Sequence, residues 1–322
     1  MSPAEAEMDL ECVRRSKERA HLHPSELKNF IRLNSTTLGE IRQRKGEPPD
    51  AVPSPFPTLN NLCLGAGGRI GPAHGTQLLI AGSSNVGKSH VAYNFAITAM
   101  RGGENVAFIA LEADTEDIAT RLAASASGTP IELLSRGRQF DVERDASACK
   151  VLIDLPGAFY VNQEPIYRLD DIEAAIEALH RLYNCRTFIV DHLQLASSGT
   201  DKAIFDRVTE ISHVTRTLAV RHNLLSIGVS QINRMASRDR DRCTSIYDLQ
   251  GGSTLENDAG LVLLVDKCSK HYRYDHATRT ASTQLIVGKN RFGPVGEIPI
   301  VFEFKTAQVR EVMPDEEDRW SK

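Results

Sequence analysis

Apolar residues in this chain fall into short runs separated by stretches of helical spacing. Residues 77–81, 105–110, 158–161, 187–190, 224–229 and 261–265 are runs of four to six residues rich in Val, Ile, Leu and Phe, the pattern of buried strands. Residues 89–101, 114–124, 170–183 and 206–222 place apolar side chains at helical intervals. The alternation predicts an α/β fold, a mostly parallel sheet with helices on both faces. Towards the end the pattern changes. Residues 283–288 and 298–304 flank Gly293-Pro294 and predict an antiparallel C-terminal hairpin at the sheet edge.

The ends of the chain are more polar. Residues 8–20 are charge-rich and helical in pattern, and 23–33 read as a short helix with Pro24 in its first turn and Leu27, Phe30 and Ile31 on one face. Thr37 and Glu40 form a capping box before Leu38 and Ile41. Residues 1–45 are thus either a short helical leader that docks on the main domain or a neighbouring subunit, or a mobile leader. Residues 46–57 hold five prolines and read as a linker, so the main domain is expected over 58–312, followed by a charged tail over 313–322.

Composition narrows the class. Of 322 residues, 41% are hydrophobic and 25% charged, as in a soluble globular protein. No apolar run approaches the roughly 20 residues that span a bilayer, and the acidic N-terminus is no secretory signal, so a cytoplasmic location and no membrane partner are expected. Cys12, Cys63, Cys149, Cys185, Cys243 and Cys268 are scattered without a C-x-x-C pair, which argues for reduced thiols and against a zinc module. A net charge of −4 leaves room for a local basic stripe that binds nucleic acid.

The chemistry begins at Gly82-Ser83-Ser84-Asn85-Val86-Gly87-Lys88-Ser89, continued by His90 into a helix. Strand, Gly-rich turn and helix form the setting of a phosphate-binding loop, whose backbone N–H groups and helix N-terminus face one phosphate chain. In that setting Lys88 reaches the β- and γ-phosphates and Ser89 offers a hydroxyl to Mg²⁺. Three strands end in polar groups at the edge where α/β sheets place ligands. Asp191 ends one as a metal-supporting carboxylate or as a helix cap. Glu112 ends another, as acceptor of a proton from attacking water or as part of the next helix's acidic first turn. Gln231 ends the third, as a γ-phosphate sensor or an ordinary loop residue.

Taken together these stretches resemble the ATPase domain of DnaB-type replicative helicases, within the RecA-like superfamily. The matching segments come in family order: 82–89, Ala110-Leu-Glu112 with Ala119-Thr-Arg-Leu122, Asp191-His-Leu-Gln-Leu195, Glu210-Ile-Ser212, Ser230-Gln-Ile-Asn-Arg234, 248–259 and Gly288-Lys-Asn-Arg-Phe-Gly-Pro294. The resemblance implies an ATP- and Mg²⁺-dependent motor on single-stranded DNA, moving 5′ to 3′ as a homo-oligomer, a hexameric ring. It implies that Glu112 polarises water and that Asp191 supports the metal. Gln231 couples the γ-phosphate to DNA-binding loops, and Lys289 and Arg291 reach the neighbouring subunit's nucleotide, Arg291 as an arginine finger. DNA contact is expected from 197–207, through Lys202 and Arg207, and from 233–242, through Arg234, Arg238, Arg240 and Arg242, although the Arg/Asp alternation there also fits a salt-bridged surface loop.

Two features depart from the family pattern. His192 stands where most members have Tyr, and about 50 residues precede the linker, too few for the helical collar that meets primase. A loader or a replication or mobile-element protein is then the expected partner. A recombination ATPase and a nucleotide-switched assembly protein are the alternative readings.

Overall fold

A computed structural model describes residues 51–63, 71–135, 141–164, 166–197, 204–233, 241–313 and 316. The chain divides into a unit over 1–48, outside the described residues, and a unit over 49–322. Within the second unit the described strands form one ten-stranded sheet in the order β10-β9-β8-β6-β1-β5-β4-β2-β3, with β7 paired to β8.

β1 (Thr76–Gly82) lies between β5 (Leu225–Gln231) and β6 (Leu261–Val265), parallel to both. β4 (Cys185–Asp191), β2 (Asn105–Ala110) and β3 (Phe159–Val161) extend the parallel part beyond β5. On the other side β8 (Thr280–Asn290), β9 (Gly296–Glu303) and β10 (Gln308–Glu311) are antiparallel, and the short β7 (Arg273–Asp275) pairs with β8. The α/β class, the parallel sheet and the antiparallel C-terminal hairpin thus stand as the apolar pattern predicts.

Helices cover both faces. α1 (Pro57–Leu62), α2 (Lys88–Arg101) and α3 (Thr115–Ser127) are followed by the single turn α4 (Ile131–Leu134) and by α5 (Val142–Ile153). α6 (Leu169–Tyr183), α7 (Ile204–His222) and α8 (Gly252–Asp258) complete the set. Strand alternation divides the core. Leu78 and Ile80 face a cluster with Val91, Phe95, Leu122 and Phe302, whereas Leu79 and Ala81 face one with Ile172, Val208, Ile211 and Leu255.

Local sequence explains the helix ends. Asp114 caps α3 by accepting from the Glu116 N–H, Gly128 closes it in a left-handed conformation, and Asp141 caps α5 through the Glu143 and Arg144 N–H groups. α1, α4, α5, α8, β7 and β10 are not among the predicted elements. α5 buries only Ala148, so it carries no apolar stripe to announce it. The Pro-rich stretch also differs from a free linker. Its described part sends Val52 and Phe56 into the core, with the Phe56 ring edge-on to Phe95 at 6.1 Å. The predicted helices within 1–45 and most of the tail lie outside the described residues.

Phe302 on β9 is wholly buried and packs beneath the turn at Gly87, where an added Cβ would meet the ring at 2.5 Å. Phe302→Ala is expected to cost about 3–5 kcal/mol, the usual range for emptying a buried aromatic site. In urea titrations this appears as a lower midpoint with an unchanged slope. A loss below about 1 kcal/mol would contradict this packing role.

Candidate active site

Four strands of the parallel sheet end around one cavity of about 420 Å³. Its wall holds Ser84, Gly87, Lys88 and Ser89 from the turn after β1, Glu112 after β2, Asp191 from β4 and Gln231 from β5. Crossover connections leave these carboxyl ends side by side, the place where open α/β sheets bind ligands.

The turn is shaped by backbone requirements. Gly87 has φ +101° directly before α2, a conformation L side chains rarely adopt, and the Phe302 ring leaves no room for a Cβ. It therefore delivers the first N–H groups of α2 to the cavity, an anion cradle at a helix N-terminus. Lys88 is buried, and its ammonium donates to the Ser83 carbonyl at 2.7 Å. Burial lowers its pKa to about 8, opposed by the nearby Asp191 and Glu112 carboxylates.

Asp191 is half-buried on the cavity wall. Burial raises its pKa, while a hydrogen bond from Ser89 and the nearby His192 and Lys88 act in the opposite sense. The Ser89 hydroxyl and this carboxylate form a hard oxygen pair of the kind Mg²⁺ takes. Asp191 caps no helix; the residue before the short 3₁₀ turn Leu193–Leu195 is His192, which makes no side-chain cap. Nor does Glu112 belong to the start of α3, whose cap is Asp114. The Glu112 side chain is 72% exposed and faces His192 Nδ1 at 3.1 Å.

His192 stands between two of these groups. The Gln231 amide N–H donates to its Nε2 at 3.4 Å, and its Nδ1 faces a Glu112 carboxylate oxygen at 3.1 Å. Ser84 Oγ stands 3.5 Å from Gln231 Oε1, a long contact that starts the chain in the phosphate turn. The row Ser84, Gln231, His192, Glu112 thus joins the turn to the exposed carboxylate.

The sequence match decides the family. A sequence model described as "DnaB-like helicase C terminal domain" matches residues 52–311. The chain belongs to that family. Among the relatives of this DnaB-like domain, the replicative DNA helicase DnaB of Leifsonia xyli subsp. xyli is 27% identical over 281 residues, 85% of this chain and 59% of the relative. A probable plasmid replicative DNA helicase of Chlamydia muridarum is 25% identical over 242 residues, 73% of this chain and 51% of the relative. The chain therefore spans between half and two thirds of those relatives. Among solved structures, the ATPase domain of a second protein superposes with a TM-score of 0.70 at 16% identity, covering 88% of this chain and all of that one. A DnaB-like replicative helicase described with its interactions with primase gives 0.68 at 19%, covering 85% of this chain and 65% of that one. At these identities the superpositions establish the RecA-like fold.

Within this DnaB-like domain the other site residues lie apart. Lys289 pairs across from Val262 on β6, whereas the phosphate turn follows the end of β1 that pairs with Val265. That is three strand residues further, about 10 Å at about 3.3 Å per residue. Lys289 donates to the Glu256 carbonyl, and Arg291 donates to the Asn257 carbonyl at 2.6 Å. Both cations thus rest on the carbonyl-rich C-terminus of α8. Burial, and then the like charge of Arg291, lower the pKa of Lys289. Their turn is fixed by Gly293, where a Cβ would meet the Leu62 carbonyl at 2.0 Å.

Of the expected DNA contacts, Lys202, Arg234, Arg238 and Arg240 lie outside the described residues. Arg207 sits in the first turn of α7 rather than on a loop, and Arg242 donates to Asp248 at 2.8 Å. The latter fits the salt-bridged reading of that stretch for this one residue. Asp248 also holds the Ser245 N–H, and its carbonyl accepts from Asn233, so the segment's anchor adjoins Gln231.

Sequence reasoning missed several cavity residues. Arg121 and Phe304 line it, as do Tyr93 and Phe108. Arg121 lies in the matched stretch 119–122, a signal that was present but assigned no role; its Nε donates to Asp117 at 2.7 Å. His90 is edge-on to Phe302 and Phe304, and burial, aided by Arg121, lowers its pKa to about 4, so the imidazole is neutral at pH 7. His192, noted in the sequence only as standing where most members of the family have Tyr, makes two polar contacts, to Gln231 and Glu112.

The lowered pKa of Lys88 predicts a proton linkage. Above pH 8 the amine is increasingly neutral, and a bound phosphate chain favours the charged form, so binding must draw in a proton. Calorimetry of nucleotide binding at pH 8.5–9 in buffers of different ionisation enthalpy should show uptake approaching one proton, and Lys88→Ala should abolish it. Buffer-independent heats at that pH would contradict the assignment.

Proposed function

We propose that this chain is the motor part of a DnaB-type helicase, hydrolysing ATP to move 5′ to 3′ on single-stranded DNA as a ring of identical subunits, a hexamer. The observation that carries this reading is the assembly of the phosphate turn, Asp191, Glu112 and Gln231 on one cavity, with Lys289 and Arg291 at the far end of the strands. Membership of the DnaB-like family favours it over a recombination ATPase or a nucleotide-switched assembly protein.

In this reading the N–H groups of the phosphate turn and Lys88 hold the β- and γ-phosphates of ATP. Ser89 and Asp191 are the residues that would hold Mg²⁺, directly and through its water shell. When bound, the ion draws charge from the phosphate oxygens. Glu112 is the carboxylate that orients the attacking water and takes its proton. Its exposure leaves it free to turn towards the γ-phosphate, while His192 Nδ1 stands 3.1 Å from one of its oxygens.

Gln231 is the sensor. It touches the His192–Glu112 pair on one side and, through its backbone carbonyl, accepts from Gln250 at 3.3 Å on the other. A change at the γ-phosphate is thereby passed to 241–250 and to the arginine-rich stretch before it. That stretch, with Lys202 and Arg207, is read as the backbone-binding surface, giving strong salt dependence and little sequence preference. Arg291 and Lys289 serve the neighbouring subunit's nucleotide. An arginine supplied across an interface is worth about 10³–10⁵ in rate in other nucleotide hydrolases. Such a shared site works only in an assembly of repeated head-to-tail contacts, which closes as a ring. A loader or replication partner would engage this ring.

The decisive assay is unwinding of a forked duplex by the purified chain with ATP and Mg²⁺. Strand displacement that requires a 5′ tail and falls at least about 100-fold in Glu112→Gln is expected, the scale of a lost general base. ATP turnover indifferent to single-stranded DNA, without displacement, would overturn the helicase reading in favour of a nucleotide switch.

A further inference from the structure

Beyond β6 the fold gathers side chains that the nucleotide chemistry does not use. Asp266 follows β6 directly and is fully buried. Its Oδ1 accepts from both the N–H and the hydroxyl of Thr244, at 2.9 Å each, and its Oδ2 lies 2.9 Å from His271 Nδ1. Cys243 Sγ lies 3.9 Å from the same nitrogen. The ligand-type atoms of Cys243, Asp266 and His271 all fall within 4.8 Å of one another, the one group of this kind among the described residues. Cys268 stands beside these three, outside the group whose atoms all lie that close, and its thiol donates to the Asp241 carbonyl at 3.6 Å. Its thiol is within hydrogen-bonding reach of Cys243, and the tight turn 268–272, in which the His271 and Tyr272 N–H groups donate to the Cys268 carbonyl, places Cys268 and His271 together.

We propose that Cys243, Cys268, His271 and Asp266 form a structural zinc site. The donor set of two sulfurs, one imidazole and one carboxylate is the set tetrahedral Zn²⁺ takes, at about 2.3 Å to sulfur and about 2.0–2.2 Å to nitrogen and oxygen. Atoms 2.9 and 3.9 Å apart leave room for an ion at those distances. The outer contacts fit as well: Thr244 occupies Oδ1 of Asp266 and so aims Oδ2 at the site. Cys243 and His271 are only half-buried, which leaves an entry path. The spacing that argued against a zinc module was correct as a sequence pattern, since the two cysteines stand 25 positions apart. The fold closes that gap. The site ties the residues after the arginine-rich stretch to the strand beside β1, and so braces the segment proposed to touch DNA.

The test is the metal content of the full chain, purified reduced and without chelator from zinc-supplemented cells. One zinc per chain is expected by plasma mass spectrometry. Cys243→Ser and His271→Ala should each lower it at least tenfold, whereas Cys149→Ser, on α5, keeps it. Replacement by Co²⁺ in the wild-type chain should give tetrahedral visible bands with thiolate charge transfer, a readout that requires no variant to fold. Absence of stoichiometric zinc together with no cobalt spectrum, or metal retained in the Cys243→Ser/His271→Ala double variant, would overturn the proposal. None of these readouts depends on ATP hydrolysis, so they stand or fall apart from the helicase reading.

Discussion

Burial of β1 between two parallel neighbours sets the distances on which the site depends. All seven of its residues are buried, and both its edges are hydrogen-bonded, to β5 and to β6. A strand so held has no freedom of register, because a one-residue slip would turn Leu78 and Ile80 out of one core and Leu79 and Ala81 out of the other. Its end at Gly82 is therefore fixed beside Gln231 on β5 and Val265 on β6. The phosphate turn inherits that position, and Phe302 supports it from below. Side chains from separate strands can then converge within hydrogen-bonding distance without a loop having to order itself around a ligand.

The same rigidity separates the site into two halves. One end of the parallel strands carries the phosphate turn, the half-buried Asp191 and the exposed Glu112. The other carries Lys289 and Arg291, resting on the carbonyls of α8. A packed sheet does not bend to bring these ends together, and the proposed reading therefore has the basic pair serve a nucleotide across a contact with another subunit. His192 gives the first half its own internal order. By accepting from Gln231 on one ring nitrogen and facing Glu112 with the other, it stands between the two side chains, which a residue with a single polar atom at its tip would not do in the same geometry.

Much of this was legible in the residues, and what was not had physical causes. The strands of the parallel sheet are short apolar runs, and their order of polar endings, Glu112, Asp191, Gln231, was readable because each follows an apolar stretch. The sheet edges were less so: β7 and β10 are three and four residues long and mostly half-exposed, with too few apolar positions to stand out. α5 was hidden for a similar reason, and its signal lies in the Asp141 cap rather than in any stripe. Arg121 and Phe304 join the cavity only because α3 and the end of β9 approach α2 in space. The Cys243, Asp266, His271 group is wholly tertiary, since no local spacing connects residue 243 to residue 271. Proline content misled at Val52 and Phe56, where two apolar side chains outweigh the composition around them.

The claim that the nucleotide site is shared between subunits can be tested by mixing two inactive chains. Glu112→Gln lacks the carboxylate of the phosphate-turn half, and Arg291→Ala lacks the cation of the other half. Each alone should hydrolyse ATP at a small fraction of the wild-type rate. Mixed and reassembled, they place an intact Glu112 opposite an intact Arg291 at some of the contacts. The account predicts that hydrolysis by the mixture exceeds that of either variant by at least tenfold. Turnover equal to the average of the two inactive chains, with mixed assembly confirmed by native mass spectrometry, would contradict it and return the whole reaction to a single chain.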